Sequence, residues 1–185
     1  VMDEAKRIDY KPSILAQSLR TNKTYTIGLL IPSIDNPYFA TIASEIVFEA
    51  KRYGYTVILL DTLEDEGNES ECINTLLTRS IDGIILVPCG ERPESLEKID
   101  EQTPIVLIDR YFEDTSLSYI CTDNYRGALD GVKLLIENGH KEILCIRGVP
   151  HSMPSKERVK GYIDALRESG FDTRSRIAGN DYSIT

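Results

Sequence analysis

The stretch TYTIGLLIPSIDNPYFATIASEIVFEAKRYG, residues 24–54, sets the reading of the whole chain. It begins with a β-branched and apolar run over residues 25–31, continuous rather than alternating, as strands covered on both faces are. Behind the turn, Asn36 fits as a helix N-cap, Pro37 as the first helical residue and Gly54 as the stop. Between them Phe39, Ile42, Ala43, Ile46, Val47 and Ala50 follow the i, i+3, i+4, i+7, i+8, i+11 series of one buried helix face. The stretch is therefore one strand–turn–helix unit.

The same alternation continues outward. Further strands are expected over 56–61, 83–87, 105–109, 119–122 and 142–146. One helix carries Cys72, Ile73, Leu76 and Leu77, and a shorter one covers 94–101. Another carries Ala128, Val132, Leu135 and Ile136 and ends at Asn138-Gly139. The last has Val159, Tyr162, Ile163 and Leu166, stopped by Gly170. Alternating β and α predicts an α/β fold with a parallel, doubly wound sheet and right-handed crossovers. Ligands of such folds sit beyond the carboxyl ends of the strands, near a topological switch point. That directs attention to loops 32–39, 88–92, 109–112 and 148–154. Residues 171–185 are expected to hold no paired strand or helix, so the chain reads as stopping inside a new layer.

Composition sets the outer limits. With 185 residues, 28% charged and 41% hydrophobic, the chain resembles ordinary globular proteins, with room for one open α/β domain or one and part of another. Its apolar runs fall far short of the roughly 20 residues a membrane-spanning helix needs. The start, Val1-Met2-Asp3-Glu4-Ala5-Lys6-Arg7, has no apolar core of the secretory kind. Cys72, Cys89, Cys121 and Cys145 lie 17, 32 and 24 residues apart, a spacing that suits reduced thiols in a cytoplasmic protein better than structural zinc. The net charge of −9 is unevenly spread, with a net +2 over residues 1–24 and −11 over the rest. A basic head and acidic body fit different partners for the two parts, or chance.

Neither G-x-G-x-x-G, Walker A, G-x-S-x-G nor H-E-x-x-H occurs. Neither an enzymatic activity nor a cofactor is expected. His140 follows Asn138-Gly139 and reads as a helix-end residue. The loop after the first strand, Ile31-Pro32-Ser33-Ile34-Asp35-Asn36-Pro37-Tyr38-Phe39, has no glycine for a phosphate; it is suited to stacking a ring and hydrogen-bonding its substituents. Asp109-Arg110 closes the fourth strand, a carboxylate and a guanidinium fork that can accept from and donate to paired sugar hydroxyls. Arg158 begins the helix after the sixth. Each has a plainer reading. Asn36 serves equally as a cap, Tyr38 or Phe39 as core, Asp109-Arg110 as a surface ion pair and Arg158 as a solvated helix position. Their common placement at strand ends favours a binding cleft.

The head carries a second signal. Met2, Ala5 and Ile8 are spaced like a helix end, and Pro12 can start the next helix at N1. Residues 13–20 offer about two turns, too few to stand alone. Leu15 and Leu19 form an apolar stripe beside Arg20. Such a helix is either an amphipathic linker or a wedge that places leucine between base pairs with arginine at phosphate or groove edge.

Together these stretches resemble the lactose-repressor (LacI/GalR) family of bacterial transcription regulators. The resemblance runs from residue 1 to about 170. It rests on Tyr10-Lys11-Pro12-Ser13 with Ala16 and Ser18-Leu19-Arg20, Thr24 to Gly28, Ile31-Pro32, Asn36-Pro37-Tyr38-Phe39, Gly54-Tyr55, Asp82-Gly83-Ile84-Ile85, Asp109-Arg110, Asp123-Asn124 with Gly127, Gly139-His140, and Arg158 with Gly161-Tyr162. It implies the end of a DNA-binding head and a hinge helix over 1–23. It also implies a first lobe of a type I periplasmic-binding-protein-like sensor over 24–124 and an incomplete second lobe over 125–185. Ala16, Leu19 and Arg20 match hinge positions at operator DNA. Asn36, Tyr38, Phe39, Asp109, Arg110 and Arg158 match effector positions in an interlobe cleft, and the motifs look most like those of ribose-type members. Asp123-Asn124 matches the first crossing between lobes. The implied protein is a homodimeric repressor with no membrane partner that senses a small molecule, the motifs favouring a sugar. A sugar-binding protein of a transport system is the alternative.

Overall fold

The structure, a computed structural model, describes residues 23–90, 94–150, 152–172 and 176–179. The expected hinge helix, with Ala16, Leu19 and Arg20, lies outside the described residues. Internal contacts divide the chain into two units: residues to Cys89 with Ser95–Ile105, and Val106–Thr185 with Gly90–Glu94. Residues 106–124, expected in the first lobe, therefore group with the second unit.

The first unit is built on β1 (Thr26–Ile31), β2 (Thr56–Asp61) and β3 (Gly83–Leu86). β1 lies in the middle, parallel to both neighbours, with Thr26 opposite Thr56 through Ile31 opposite Asp61 on one side and Ile27 opposite Gly83 through Leu30 opposite Leu86 on the other. Chain order thus reverses direction at β1, which puts a switch point at the carboxyl ends of β1 and β3. Leu29, Leu30, Ile31, Ile84, Leu86 and Val87 are buried, as continuous apolar strands should be. Gly28 allows close approach: a Cβ there would strike Leu76 Cδ1.

Helix α1 (Pro37–Arg52) starts as read, with Asn36 as N-cap and proline in its first turn. Phe39 and Ala43 are its buried residues, whereas Val47, at the edge of the predicted stripe, is 44% exposed. Helix α2 (Glu66–Leu77) is capped by Asp65, whose side chain accepts from Asn68 N. Helix α3 is Glu94–Asp100. At the start of β1, the Asp82 carboxylate accepts from Thr24 N at 2.7 Å, Thr24 Oγ1 at 2.8 Å and Tyr25 N at 3.0 Å. It holds Tyr25 at a left-handed φ of +52°, unusual for a tyrosine.

β4 (Ile105–Ile108), in the second unit from Val106 onward, pairs in parallel with β5 (Ser118–Ile120), Val106 opposite Ser118 and Ile108 opposite Ile120. Helices α4 (Asn124–Glu137) and α5 (Met153–Glu168) pack through Leu129, Val132, Tyr162, Ala165 and Leu166. Gly161 permits this closeness. A Cβ on it would strike Tyr125 O and meet Leu129 N at 3.0 Å. β6 (Cys145–Ile146) pairs in parallel with β7 (Ile177–Ala178). That corrects the expectation that no paired strand follows residue 171: two residues before a glycine are too short to show a period. β5 and β6 are also less covered than their apolar runs suggested, with Ile120 69% and Ile146 76% exposed. Both units are parallel-sheet α/β. Among the described residues, no helix is long and apolar enough to cross a membrane.

Candidate functional site

At the switch point of the first unit, three strand ends are tied together by polar side chains. Thr62 is fully buried. Its N–H donates to Ile31 O at 2.9 Å, and its hydroxyl lies 2.9 Å from Cys89 Sγ. Asp61 accepts from Ile34 N and Leu63 N, both at 2.9 Å. Glu69, also buried, accepts from Cys89 N at 2.8 Å. The loops after β1, β2 and β3 are thus braced by side chains from β2 and α2.

On this frame sits the predicted loop. Asn36 Oδ1 accepts from Tyr38 N at 3.0 Å, so its acceptor serves the cap. Tyr38 is half exposed and Phe39 is buried, with the rings edge to face at 5.2 Å. Phe39 is therefore core, supporting Tyr38 from below. Tyr38 is the ring that a ligand could reach.

The second unit holds the charged pair. Asp109, just past β4, donates its N–H to Ile120 O at 2.9 Å and takes a φ of +63°. Left-handed backbone at a non-glycine residue is uncommon, though aspartate tolerates it better than most. This turn brings Arg110 Nε to 3.9 Å from Asp109 Oδ2, with both side chains under one-fifth exposed. The pair is half-buried rather than a solvated surface contact. Tyr111 follows, stacked on Tyr119 at 4.5 Å and 9°. Its hydroxyl donates to Glu157 Oε1 at 2.8 Å. Burial, then the hydrogen bond to Glu157 and its charge, push the Tyr111 phenol well above its ordinary pKa. The Cys121 thiol is also raised, by burial first and then by Glu157, Asp109 and Asp123.

Arg158 is exposed on α5. With Arg147 it acts electrostatically on the Cys145 thiol, opposing the rise that burial causes there. Asp123 caps α4, accepting from Arg126 N at 2.8 Å. Asn36, Tyr38 and Phe39 thus belong to the first unit, and Asp109, Arg110 and Arg158 to the second. Among the described residues, no group of three His, Cys, Asp or Glu could hold a metal ion.

Sequence reasoning missed Asp61, Thr62, Glu69, Tyr111 and Glu157. One signal was available for Glu69: it stands at i−4 and i−7 from Ile73 and Leu76, a carboxylate on the apolar stripe of α2. Tyr111 and Glu157 offered none.

Loops beyond the carboxyl ends of parallel strands are where doubly wound α/β folds carry their ligand sites, and polar and aromatic side chains occupy such loops in both units. The chain belongs to the family of periplasmic binding proteins and the sugar-binding domain of the LacI family, whose model matches residues 24–183. It is 32% identical to the sucrose operon repressor of Klebsiella pneumoniae over 182 residues, which cover 97% of this chain and 54% of that protein. The chain thus spans about half the length of the curated relatives it matches. Among solved structures, a candidate ribose operon repressor from Burkholderia thailandensis superposes with a TM-score of 0.79 at 34% identity, covering 84% of this chain and 60% of that one. A LacI-type regulator from Alkaliphilus metalliredigens, complexed with D-xylulofuranose, gives a TM-score of 0.77 at 28% identity, covering 87% and 58%. The parallel-sheet α/β fold matches these sensor domains.

Proposed function

We propose that this chain is the hinge and part of the sensor of a cytoplasmic, homodimeric transcriptional repressor whose affinity for operator DNA responds to a small sugar. The observation that carries the reading is the half-buried Asp109–Arg110 pair, set by a left-handed turn at the carboxyl end of β4. It offers an acceptor and a planar donor fork side by side, the pairing that vicinal hydroxyls require. Tyr38 supplies an aromatic face, Phe39 backs it, and Asn36 holds the loop. Arg158 is the third charged contact. Ala16, Leu19 and Arg20 are the contacts to operator DNA. The names of the relatives, a sucrose operon repressor and a regulator complexed with D-xylulofuranose, support a sugar as effector.

Regulation follows from linkage: a sugar can alter operator affinity only by binding the DNA-competent and DNA-incompetent arrangements unequally. Thermal-shift measurements on the full chain with D-ribose, D-xylulose and sucrose test the reading. At least one should raise the melting temperature, and Arg110→Ala should abolish that rise while leaving the ligand-free melting temperature nearly unchanged. A large ligand-free loss would assign the pair a structural role. Operator affinity unchanged by every sugar would refute the sensor.

A further inference from the structure

Among its described residues, the second unit contains a buried acceptor without a donor. Glu157 Oε1 accepts from the Tyr111 hydroxyl at 2.8 Å. Its Oε2 is buried and has no hydrogen-bond partner among the described residues. A buried carboxylate oxygen without a donor is costly, and native structures rarely keep one without a reason. Tyr111 lies on the same turn as Asp109 and Arg110, one residue beyond the arginine. The unused acceptor is therefore anchored to the loop assigned above to the effector.

Carboxylates gather on this side of the second unit, with Arg110 and Arg158 among their neighbours in the chain. Apart from burial, the charges acting on the Cys121 thiol are those of Glu157, Asp109 and Asp123. Arg110 stands against Asp109, and Arg158, next to Glu157 on α5, acts with Arg147 on Cys145. A carboxylate can only accept, so the missing partner must be a donor. A sugar hydroxyl meets that need, whereas a phosphate or carboxylate group brings more acceptors and like charge. The Tyr111–Tyr119 stack adds an aromatic surface beside it, with Tyr119 half exposed.

We propose that Tyr111 and Glu157 form a specificity subsite of the effector site, in which Glu157 Oε2 accepts a hydroxyl of an uncharged polyol and turns away its phosphorylated form. This rests on the sensor reading above. Glu157 makes the ligand contact, and Tyr111 is a positioning residue that holds Glu157 by its other oxygen.

Calorimetric titration of the full chain with D-ribose and D-xylulose, and with D-ribose 5-phosphate and D-xylulose 5-phosphate, tests the subsite. A neutral pentose should bind at least about tenfold more tightly than its phosphate ester, because a phosphate brought to Glu157 Oε2 sets like charges together and offers no donor. Glu157→Gln removes the charge at nearly constant shape. It should weaken the neutral sugar about tenfold, the scale of one charge-assisted hydrogen bond, and narrow the ratio between the two ligand classes. Tyr111→Phe leaves the charge and releases its position, so it should narrow the ratio from the neutral-sugar side alone; it decides the matter if Glu157→Gln melts early. Equal or tighter binding of the phosphate esters by the unmodified chain would overturn the subsite and leave the sensor standing. Parallel weakening of both classes, with the ratio unchanged, would reduce the two residues to a structural role. Binding of neither class would overturn the subsite and the sensor reading together.

Discussion

Replacing Gly161 by alanine adds one methyl group where α5 lies directly against the backbone of α4. The new Cβ would strike Tyr125 O and meet Leu129 N at 3.0 Å and Ala128 Cβ at 3.1 Å. Two of these neighbours are backbone atoms inside a helix and cannot swing aside as a side-chain tip can. Intrinsic helix preference runs the other way, favouring alanine over glycine by about 0.8–1.0 kcal/mol. Overpacking a closed contact costs about 1–3 kcal/mol, and a backbone collision belongs at the upper end. The difference is a net loss of about 2 kcal/mol. For a unit of this size that corresponds to a fall in melting temperature of about 10 °C. Gly127 and Gly131, both on α4, provide controls, because a Cβ at either meets nothing within 4 Å. Alanine at each should stabilise by up to about 1 kcal/mol. Thermal and urea unfolding followed by circular dichroism measure all three. If Gly161→Ala were as stable as the two controls, the close approach of α4 and α5 would be refuted.

Removing the Asp82 carboxylate with Asp82→Ala should cost about 2 kcal/mol in urea unfolding, since three donors from Thr24 and Tyr25 lose their acceptor. Asn36→Ala should cost about 1 kcal/mol through the lost cap, and Asn36→Asp should recover most of it. If asparagine also contacts the sugar, the aspartate variant restores stability without restoring affinity. In an alkaline titration followed by tyrosinate absorbance, Tyr111, Tyr125 and Tyr162 should ionise late, because each is raised above the ordinary 10.0. A pKa raised in the folded state means that the native protein keeps the proton the unfolded chain gives up. The stabilisation is therefore complete below about pH 10 and is lost as pH climbs past it. Tyr111→Phe should remove one late-ionising group, and an unchanged late phase would contradict its burial against Glu157.

The elements that local pattern controls were legible. The buried stripe of α1 starts at Phe39, its cap is Asn36, and β2 runs over Thr56–Asp61 as its apolar stretch indicates. These follow from φ/ψ preferences and side-chain periods within a dozen residues. The Asp109-Arg110 pair was legible as chemistry, but its half-buried state and the left-handed turn were not. The family resemblance, carried by motif order, pointed to the fold class that the parallel strands display.

What only the tertiary structure decided are the links between residues far apart in the chain. Glu69 reaches Cys89 across 20 positions, and Tyr111 reaches Glu157 across 46. β7 exists because Ile177 and Ala178 meet β6, their own sequence being too short to announce a strand. Such contacts leave no period to read. A side chain's partner is set by which strands and helices pack side by side, and burial then turns an ordinary glutamate or tyrosine into a group that must be satisfied. Local sequence determines which elements form; their packing determines which polar groups are removed from water.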